Sequence, residues 1–473
     1  MEEFKIYLSG KFITSNTEIE VINPYTNKAF ARTWLCDESI IEQAIQDAEN
    51  VKSELAKMPV YKRYNILMLI ASELEAQKKE AALLISRESG KPLIFARGEI
   101  DRAIQTFIVA AEETKRLPGE YISIDWTPAG EGKEAYVKYF PIGIVAGIAP
   151  FNFPINLAAH KIAPAIAAGC PIIIKPASST PLSVLNLAKI IDKTDLPKGA
   201  ISILPANRTI GDKLVSDQRI KLLTFTGSPE VGWEMKNRAG KKKVILELGG
   251  NAGLIVTETA DIEKAIQKSV IAGFAYSGQV CIHTQRIIVH KSIFEKFTKL
   301  FCKNTNLLKT GNPENENTQI SVMIDEKNAK RVEEWVNEAA NSGAKVLCGG
   351  KRTGSMYEPT VLTNTNNLMK VCAFEIFGPV VTIEVYENFN EAIDYINNSR
   401  FGLQAGVFTN KISEMNFAFE HLELGGVIIN DTPTFRVDHM PYGGIKDSGL
   451  GREGVKYAIK DMMEEKILVK PKL

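Results

Sequence analysis

Hydrophobic residues change their spacing along this chain near residue 140. Between residues 39 and 116 they recur at every third or fourth position, as at Ile41, Ala44 and Ile45, which predicts helices. Pro59 and the string GKP at residues 90–92 separate these helices. Beyond residue 140, short apolar runs alternate with helical segments, which predicts a parallel sheet with helices on both faces. The pattern indicates an α/β protein.

The apolar runs predict strands in two groups, one before and one after residue 250. The predicted strands are residues 142–146, 172–174, 201–204, 222–225, 244–246, 286–290, 380–385 and 426–429. A chain of 473 residues is too long for one hydrophobic core, and it suggests about two or three domains. Residues 118–137 interrupt the first group and are rich in proline, glycine and charge, which indicates a surface excursion.

Composition narrows the class of protein. The net charge is +1, from 57 basic and 56 acidic residues, so we expect neither a nucleic-acid partner nor an anionic membrane. No apolar stretch approaches the roughly eighteen residues of a membrane span, and the first residues do not resemble a secretory signal. The six cysteines are scattered, without the spacing of a metal site or of a disulfide framework. We expect a cytoplasmic protein without a metal.

Three short strings supply the parts of an acyl-transfer site. The string GQVC ends at Cys281, thirty-four residues after Glu247, which begins the string ELGG. Asn152 lies at the centre of the string PFNFP. A cysteine nucleophile, a carboxylate base and an amide donor to an oxyanion are what a thioester reaction requires. Taken singly, such a cysteine is more often a small buried hydrophobe, and such a glutamate is more often a surface residue at a strand end.

In their joint order, these strings resemble the NAD(P)-dependent aldehyde dehydrogenase superfamily, and the resemblance covers nearly the whole chain. It implies a Rossmann-like cofactor-binding domain formed by residues 1–117 and 138–249, followed by an α/β catalytic domain at residues 250–444. It also implies a small β oligomerisation arm formed by residues 118–137 and 445–473, in which the hairpin pairs with the chain end at Ile467, Leu468 and Val469. We therefore expect a homodimer or a homotetramer.

The same resemblance implies that the chain binds NAD or NADP. Gly227 and Ser228 lie where a predicted strand turns into a helix, and a helix N-terminus with small residues accepts a diphosphate. The bland alternative is an ordinary strand–turn–helix connection, in which Ser228 caps the helix. In the string EIFGP, Glu375 corresponds to the family's ligand of the nicotinamide ribose, and Phe377 to the aromatic residue beside the nicotinamide.

Two further residues bear on the choice between NAD and NADP. Lys175 closes a predicted strand in the string KPAS and corresponds to the family's ligand of the adenosine ribose. Many members that prefer NAD carry glutamate where this chain has Ser178. A carboxylate there repels the 2′-phosphate of NADP, whereas a hydroxyl can donate to it. We therefore expect NADP to be accepted.

The expected reaction is the oxidation of an aldehyde to a carboxylate through a thiohemiacetal and a thioester on Cys281. Asn152 donates to the oxyanion, and Glu247 activates the water that hydrolyses the thioester. The paired glycines after Glu247 suggest a turn that lets this carboxylate swing. One rival is a CoA-acylating dehydrogenase, which needs no water-activating carboxylate. A second is a catalytically silent relative with a structural or binding role.

The substrate is indicated by weaker signals. Residues 428–440 resemble the loop of the lactaldehyde and non-phosphorylating glyceraldehyde-3-phosphate dehydrogenase branch, which favours a small hydroxylated aldehyde such as lactaldehyde or glycolaldehyde. Succinate semialdehyde and glyceraldehyde 3-phosphate are the alternatives. Candidate substrate residues are Arg102, His283 and Arg436, although Arg102 can simply pair with its acidic neighbours, His283 can lie on a helix surface and Arg436 can form a surface ion pair. We interpret the family signature at residues 441–453 as structural.

Overall fold

The computed structural model describes residues 1–472 and confirms the predicted α/β class. An eight-stranded sheet holds all five strands predicted before residue 250, with their ends shifted by one or two residues. Its central strands are parallel, and its edges are antiparallel. In spatial order the strands are Gly449–Leu450, Lys243–Glu247, Ile220–Thr226, Ile144–Ile148, Ile172–Lys175, Ile201–Ile203, Ile6–Leu8 and Lys11–Ile13.

Helices cover both faces of this sheet, and the predicted breaks fall between them. They are Glu38–Lys57, Val60–Ala76, Lys78–Ser89, Leu93–Thr114, Pro154–Ala168, Leu182–Ile191, Arg208–Ser216, Pro229–Arg238 and Val455–Asp461. Pro59 and Pro92 occupy the positions that precede their helices, where a missing N–H costs nothing. Gly90 ends the helix before it with a φ of 71°, a left-handed conformation that suits glycine.

The second large sheet has seven strands and contains the three strands predicted after residue 250. In spatial order they are Lys345–Cys348, Thr360–Thr363, Val380–Tyr386, Arg286–His290, Gly253–Val256, Gln404–Phe408 and Gly426–Ile429. The helices of this region are Ile262–Phe274, Phe294–Thr305, Glu326–Asn341, Lys370–Ala373, Phe389–Asn397 and Ile412–His421. Only the first strand is antiparallel to its neighbour. Such sheets bind ligands at the carboxyl ends of their strands.

A third, smaller sheet joins the excursion to the chain end. Met463–Pro471 pairs with Lys133–Pro141, which pairs in turn with Gly119–Ile122. Ile467, Leu468 and Val469 therefore lie opposite the hairpin, as the resemblance implied, and all three side chains are exposed. The role of this sheet in subunit assembly stays a prediction, as do the domain boundaries.

The predicted oligomerisation segment 445–473 is not one unit. Gly449–Leu450 forms an edge of the eight-stranded sheet, and the helix Val455–Asp461 packs against the helix Pro154–Ala168. Only Met463–Pro471 belongs to the third sheet, and residue 473 lies outside the described residues.

The remaining short elements complete the description of the fold. They are the strands Glu2–Glu3, Thr17–Asn23 and Lys28–Leu35 of an N-terminal sheet, the pair Arg352–Thr353 and Met356–Tyr357, the pair Phe401–Gly402 and Ile445–Lys446, and the single turns Pro128–Gly130 and Ala275–Gly278. Among residues 1–472, no helix is both long and apolar enough to cross a membrane.

Candidate active site

The structure brings Cys281, Glu247 and Asn152 together on the wall of one cavity of about 720 Å³. Asn152 lies in the turn between the strand Ile144–Ile148 and the helix that follows it. Glu247 is the last residue of its strand, and Cys281 follows the single turn Ala275–Gly278. The three residues come from distant parts of the chain, because the carboxyl edge of the eight-stranded sheet faces this turn.

The loop that carries Cys281 depends on an unusual backbone. Tyr276 and Ser277 have φ values of 48° and 53°, and Gly278 has a φ of 70°. A Cβ atom at Gly278 would lie 2.0 Å from the carbonyl oxygen of Gly378, so only glycine fits there. The Cys281 Sγ atom lies 3.1 Å from the hydroxyl of Tyr442. Burial raises the pKa of the thiol to about 11.

Asn152 is held beside the cysteine loop by a single hydrogen bond. Its side-chain amide donates to the carbonyl oxygen of Gln279 over 2.9 Å, and the residue is buried. Gln279 is itself anchored, because its side-chain oxygen accepts from the Ile324 N–H at 2.9 Å. An amide nitrogen carries two hydrogens, so one remains for an oxyanion formed at Cys281. The position fits the predicted role as donor.

Glu247 is buried, so the interpretation of it as a surface residue is wrong. Its Oε1 atom accepts from the Glu453 N–H at 3.2 Å, and its Oε2 atom has no partner among the described residues. Burial, reinforced by the charge of Glu453, raises the pKa of the Glu247 carboxyl well above its ordinary value. A carboxyl with a raised pKa is suited to general-base work near neutral pH.

The two glycines after Glu247 serve close packing rather than a left-handed turn, since neither has a positive φ. A Cβ atom at Gly249 would lie 2.2 Å from a carboxylate oxygen of Glu375. A Cβ atom at Gly250 would lie 2.9 Å from the carbonyl oxygen of Cys281. These glycines therefore let the cofactor-side glutamate and the cysteine loop approach the strand end. The structure gives no support to a turn that frees Glu247.

Buried charged residues adjoin Glu247. Arg436 pairs with Glu453 at 2.6 Å, and its guanidinium carbon lies 3.8 Å from the centre of the Tyr442 ring. Both partners of the ion pair are buried, so the alternative of a surface ion pair at Arg436 is wrong. Lys161 is also buried, and it donates to the hydroxyls of Thr224 and Thr226 at 3.2 and 2.8 Å.

A chain of polar contacts leads from this cluster towards the surface. His160 lies 3.2 Å from Glu453 and 2.8 Å from Asp438. Arg102 pairs with Asp438 at 2.6 Å, and 29% of the Arg102 side chain is exposed. The expectation that Arg102 pairs with its acidic sequence neighbours is therefore wrong. Asp101 pairs with Lys78 and Glu99 pairs with Lys91 instead, because successive positions of a helix point in different directions.

His283 is neither on a helix surface nor among the residues that line the cavity. Its side chain is buried, and burial lowers its pKa to about 4, so the imidazole is neutral. Its Nε2 atom has no hydrogen-bond partner among the described residues. Both interpretations of His283 are corrected: its ring is buried in the protein interior.

Four of the six predicted cofactor residues line the same cavity: Gly227, Ser228, Glu375 and Phe377. Ser228 precedes the helix Pro229–Arg238, but its side chain makes no capping hydrogen bond. The expected cap is therefore absent, and the serine hydroxyl and the first N–H groups of the helix face a space that suits a diphosphate. A Cβ atom at Gly227 would meet the Phe225 ring at 2.4 Å, so this position requires glycine.

Glu375 and Phe377 form the opposite wall. The Glu375 carboxylate accepts from the Gly250 N–H at 3.0 Å, and burial raises its pKa to about 8. Phe377 has a φ of 45°, and its ring meets the Phe151 ring edge-to-face with centres 5.8 Å apart. Phe151 stands where the family frequently has tryptophan, and its contact with Phe377 is one of packing.

Lys175 and Ser178 lie beyond the cavity wall, at the end of the strand Ile172–Lys175. The Lys175 side chain packs on Gly211, where a Cβ atom would approach within 2.7 Å, and burial lowers its pKa. Among residues 1–472, its ammonium group donates only to the Pro176 carbonyl, at 3.4 Å. Ser178 donates to the Ala206 carbonyl at 3.5 Å. Both groups therefore have spare hydrogen-bonding capacity.

Sequence reasoning missed Tyr442, Glu453 and Lys161. Tyr442 and Glu453 lie in the signature at residues 441–453, which we interpreted as structural. The unusual length and polarity of this signature were the sequence features that could have indicated a role in the site. No sequence feature pointed to Lys161, because it lies inside an apolar helix.

The chain belongs to the aldehyde dehydrogenase family, whose model matches residues 12–468. It is 43% identical over 470 residues to 3-sulfolactaldehyde dehydrogenase of Priestia aryabhattai, covering 99% of this chain and 98% of that protein. It is 42% identical over 470 residues to lactaldehyde dehydrogenase of Methanococcus aeolicus, covering 98% of this chain and 99% of the relative. The predicted family is confirmed, and the family and its named relatives identify the chain as an enzyme that acts on aldehydes.

Solved structures confirm the aldehyde dehydrogenase fold. Aldehyde dehydrogenase 21 of Physcomitrella patens, in complex with the reaction product succinate, is 46% identical with a TM-score of 0.98, covering 99% of this chain and 98% of that one. Glyceraldehyde-3-phosphate dehydrogenase of Methanocaldococcus jannaschii, complexed with NADP, is 39% identical with a TM-score of 0.93, covering 97% of this chain and 100% of that one.

Proposed function

We propose that this enzyme oxidises a short polar aldehyde to its carboxylate with NAD or NADP, through a thioester on Cys281. The observation that carries the proposal is the shared cavity, whose wall holds a thiol, a buried carboxyl and an amide donor. No one of these groups would identify the reaction, but together they supply the nucleophile, the base and the oxyanion donor.

Each of the three residues acts at a different step of the reaction. The Cys281 thiolate attacks the aldehyde carbon, and the resulting oxyanion accepts from the free hydrogen of the Asn152 amide. A nicotinamide cofactor, when bound, would supply the acceptor for the hydride that the thiohemiacetal carbon must lose to become a thioester. Glu247 then takes a proton from water, and the hydroxide displaces the Cys281 sulfur. A water-activating carboxyl beside the thiol favours hydrolysis over transfer to CoA.

The residues present fit a dinucleotide. The uncapped helix start at Ser228 suits the diphosphate, and Glu375 on the opposite wall has a carboxylate oxygen for ribose hydroxyls. Lys175 has a buried ammonium group with one weak contact, which suits the adenosine ribose. Ser178 brings a hydroxyl rather than a carboxylate to the same strand end, so acceptance of NADP is part of the proposal. The relative from Methanocaldococcus jannaschii, complexed with NADP, supports it.

The substrate proposed first is a small hydroxylated aldehyde such as lactaldehyde or glycolaldehyde. Support comes from the lactaldehyde dehydrogenase relative and from polar groups near Cys281, including the Tyr442 hydroxyl. A site built around such groups rejects apolar analogues strongly, because its donors would be left unpaired.

Aldehydes with an anionic end, such as 3-sulfolactaldehyde and succinate semialdehyde, are the second candidate. The observation that favours them is Arg102, which does not line the cavity itself but is partly exposed and is joined to the active-site cluster through Asp438 and His160. The relatives that act on 3-sulfolactaldehyde or bind succinate support this view. Arg436 is less available, since Glu453 and Tyr442 engage its guanidinium, and its contact with substrate stays a prediction.

The test compares kcat/KM for lactaldehyde, 3-sulfolactaldehyde, succinate semialdehyde, glyceraldehyde 3-phosphate and hexanal with both cofactors. Arg102→Gln should lower kcat/KM for the anionic aldehydes about tenfold to a hundredfold, as expected for a lost charged hydrogen bond, and should spare lactaldehyde. Arg116→Gln, in an exposed arginine just beyond the same helix, is the matched control. A preference for hexanal would overturn the proposed substrate class.

We also propose a cytoplasmic homo-oligomer. The six cysteines are free, which fits a reducing compartment. The exposed apolar side chains of the third sheet, at Ile467, Leu468 and Val469, are the candidate contact between subunits.

A further inference from the structure

We propose that Tyr442 is a catalytic residue of this enzyme, whose hydroxyl donates a hydrogen bond to the Cys281 thiolate and stabilises it for attack. The proposal rests on the proposed function, because it takes Cys281 as the nucleophile. The observation behind it is the 3.1 Å contact between the Tyr442 hydroxyl and the Cys281 sulfur.

The site needs such a donor, because little else around the sulfur favours its charge. Burial opposes the thiolate, and the nearby carboxyls Glu375 and Glu247 oppose it further. The Tyr442 hydroxyl is the group whose hydrogen bond counteracts burial most, and the charge of Arg436 helps less. A hydrogen bond to a charged acceptor is the stronger kind, so the hydroxyl favours the thiolate over the thiol.

Tyr442 can act as a donor but not as the base that removes the thiol proton. Burial, together with the nearby Cys281, raises the pKa of its phenol well above the ordinary value. The phenol therefore keeps its proton throughout the reaction. The thiol proton leaves for the Glu247 carboxylate by way of water, and the sulfur keeps the electron pair that forms the bond to the aldehyde carbon.

The fold fixes the hydroxyl at the sulfur. Tyr442 and Glu453 exchange two backbone hydrogen bonds, of 2.7 and 2.5 Å, and the Glu453 N–H also binds Glu247. The guanidinium carbon of Arg436 lies 3.8 Å from the centre of the Tyr442 ring, and the guanidinium also pairs with Glu453, so the ring packs against an anchored side chain. The segment 442–453 thus places both the Tyr442 hydroxyl at the Cys281 sulfur and the Glu453 N–H at the Glu247 carboxyl.

The experiment measures the pH dependence of Cys281 alkylation by iodoacetamide in the enzyme without substrate, with the modified residue located by peptide mass spectrometry. Tyr442→Phe keeps the ring and its contact with Arg436 and removes the hydroxyl alone. Alkylation of Cys281 at pH 8 should slow about tenfold to a hundredfold, and its pH profile should move up by about one to two pH units. Tyr357→Phe, in a buried ring of a separate hydrophobic cluster, is the control and should leave the profile unchanged.

A kinetic split separates this role from a structural one. Tyr442→Phe should slow the pre-steady-state burst of reduced cofactor by a similar factor, with an unchanged KM for the cofactor. An unaltered alkylation profile in a folded Tyr442→Phe enzyme would overturn the role of Tyr442 alone. If the parent enzyme is inactivated by alkylation at another residue, the assignment of Cys281 fails and the proposal falls with it.

Discussion

Replacing Glu247 by glutamine separates the two halves of the reaction. Glutamine has nearly the same volume, and its side-chain oxygen can still accept from the Glu453 N–H that Oε1 now engages at 3.2 Å. The change removes the basic oxygen Oε2, which has no partner among residues 1–472, and leaves Cys281 and Asn152 in place. We therefore expect the thioester to form and its hydrolysis to fail.

The size of the effect follows from the role. A positioned general base contributes about a hundredfold to ten-thousandfold to proton transfer from water, or about 3 to 5 kcal/mol in the barrier. The steady-state rate of Glu247→Gln should fall by that factor. Stopped-flow absorbance should still show a burst of about one reduced cofactor per active site, because acylation consumes one cofactor before hydrolysis is needed.

The burst is the discriminating signal. Where Glu247 also takes the thiol proton, the burst slows at neutral pH and recovers as the pH rises, since hydroxide then removes that proton. Steady-state oxidation at the parent rate would refute Glu247 as the base. Slow turnover with no burst at any pH would show that it acts before the thioester rather than after it.

Three further substitutions and one stability measurement probe the remaining parts of the account. Cys281→Ser should nearly abolish turnover, because an alcohol is far less nucleophilic than a thiolate, and normal steady turnover would rule out Cys281. Asn152→Ala should lower kcat about a hundredfold to a thousandfold, as loss of one oxyanion donor does, with little change in the cofactor KM. Ser178→Glu should shift preference towards NAD by repelling the 2′-phosphate, and a parent enzyme that cannot use millimolar NADP would show that other residues decide. Because the raised pKa of Glu247 makes the folded protein bind a proton more tightly than the unfolded chain, stability falls as the pH rises above its ordinary value of 4.5. The Tm of Glu247→Gln relative to the parent should therefore increase between pH 5 and pH 8, and a constant difference would contradict the raised pKa.

The sequence predicted the parts of the fold that depend on local spacing. The strand Arg286–His290 and the helix breaks at Pro59 and Gly90 follow from apolar runs and from backbone chemistry, and they appear where expected. The short strands before residue 36 were not predicted, although Thr17–Asn23 alternates polar and apolar residues and pairs with Lys28–Leu35 in a local hairpin. The place of Ile6–Leu8 in the eight-stranded sheet could not be predicted, because it depends on pairing with the distant strand Ile201–Ile203, which local spacing does not encode.

The residues of the candidate site likewise fall into those that the sequence predicted and those that it did not. Cys281, Glu247 and Asn152 were recognisable from their order along the chain, and the structure brings them together on one cavity wall. Arg102 and His283 were assigned from their positions in sequence, but their side-chain partners depend on helix packing. Tyr442 reaches Cys281 across a separation of 161 residues, which no local pattern reveals.

The central claim is that the acyl group passes through Cys281, and trapping it tests that claim most directly. Glu247→Gln is mixed with lactaldehyde and NADP, quenched in acid within the burst and digested for peptide mass spectrometry. The account predicts that the peptide containing Cys281 gains the mass of the acyl group, with a stoichiometry matching the burst. Carboxylate formed without that adduct, or an acyl group found on another cysteine, would contradict it.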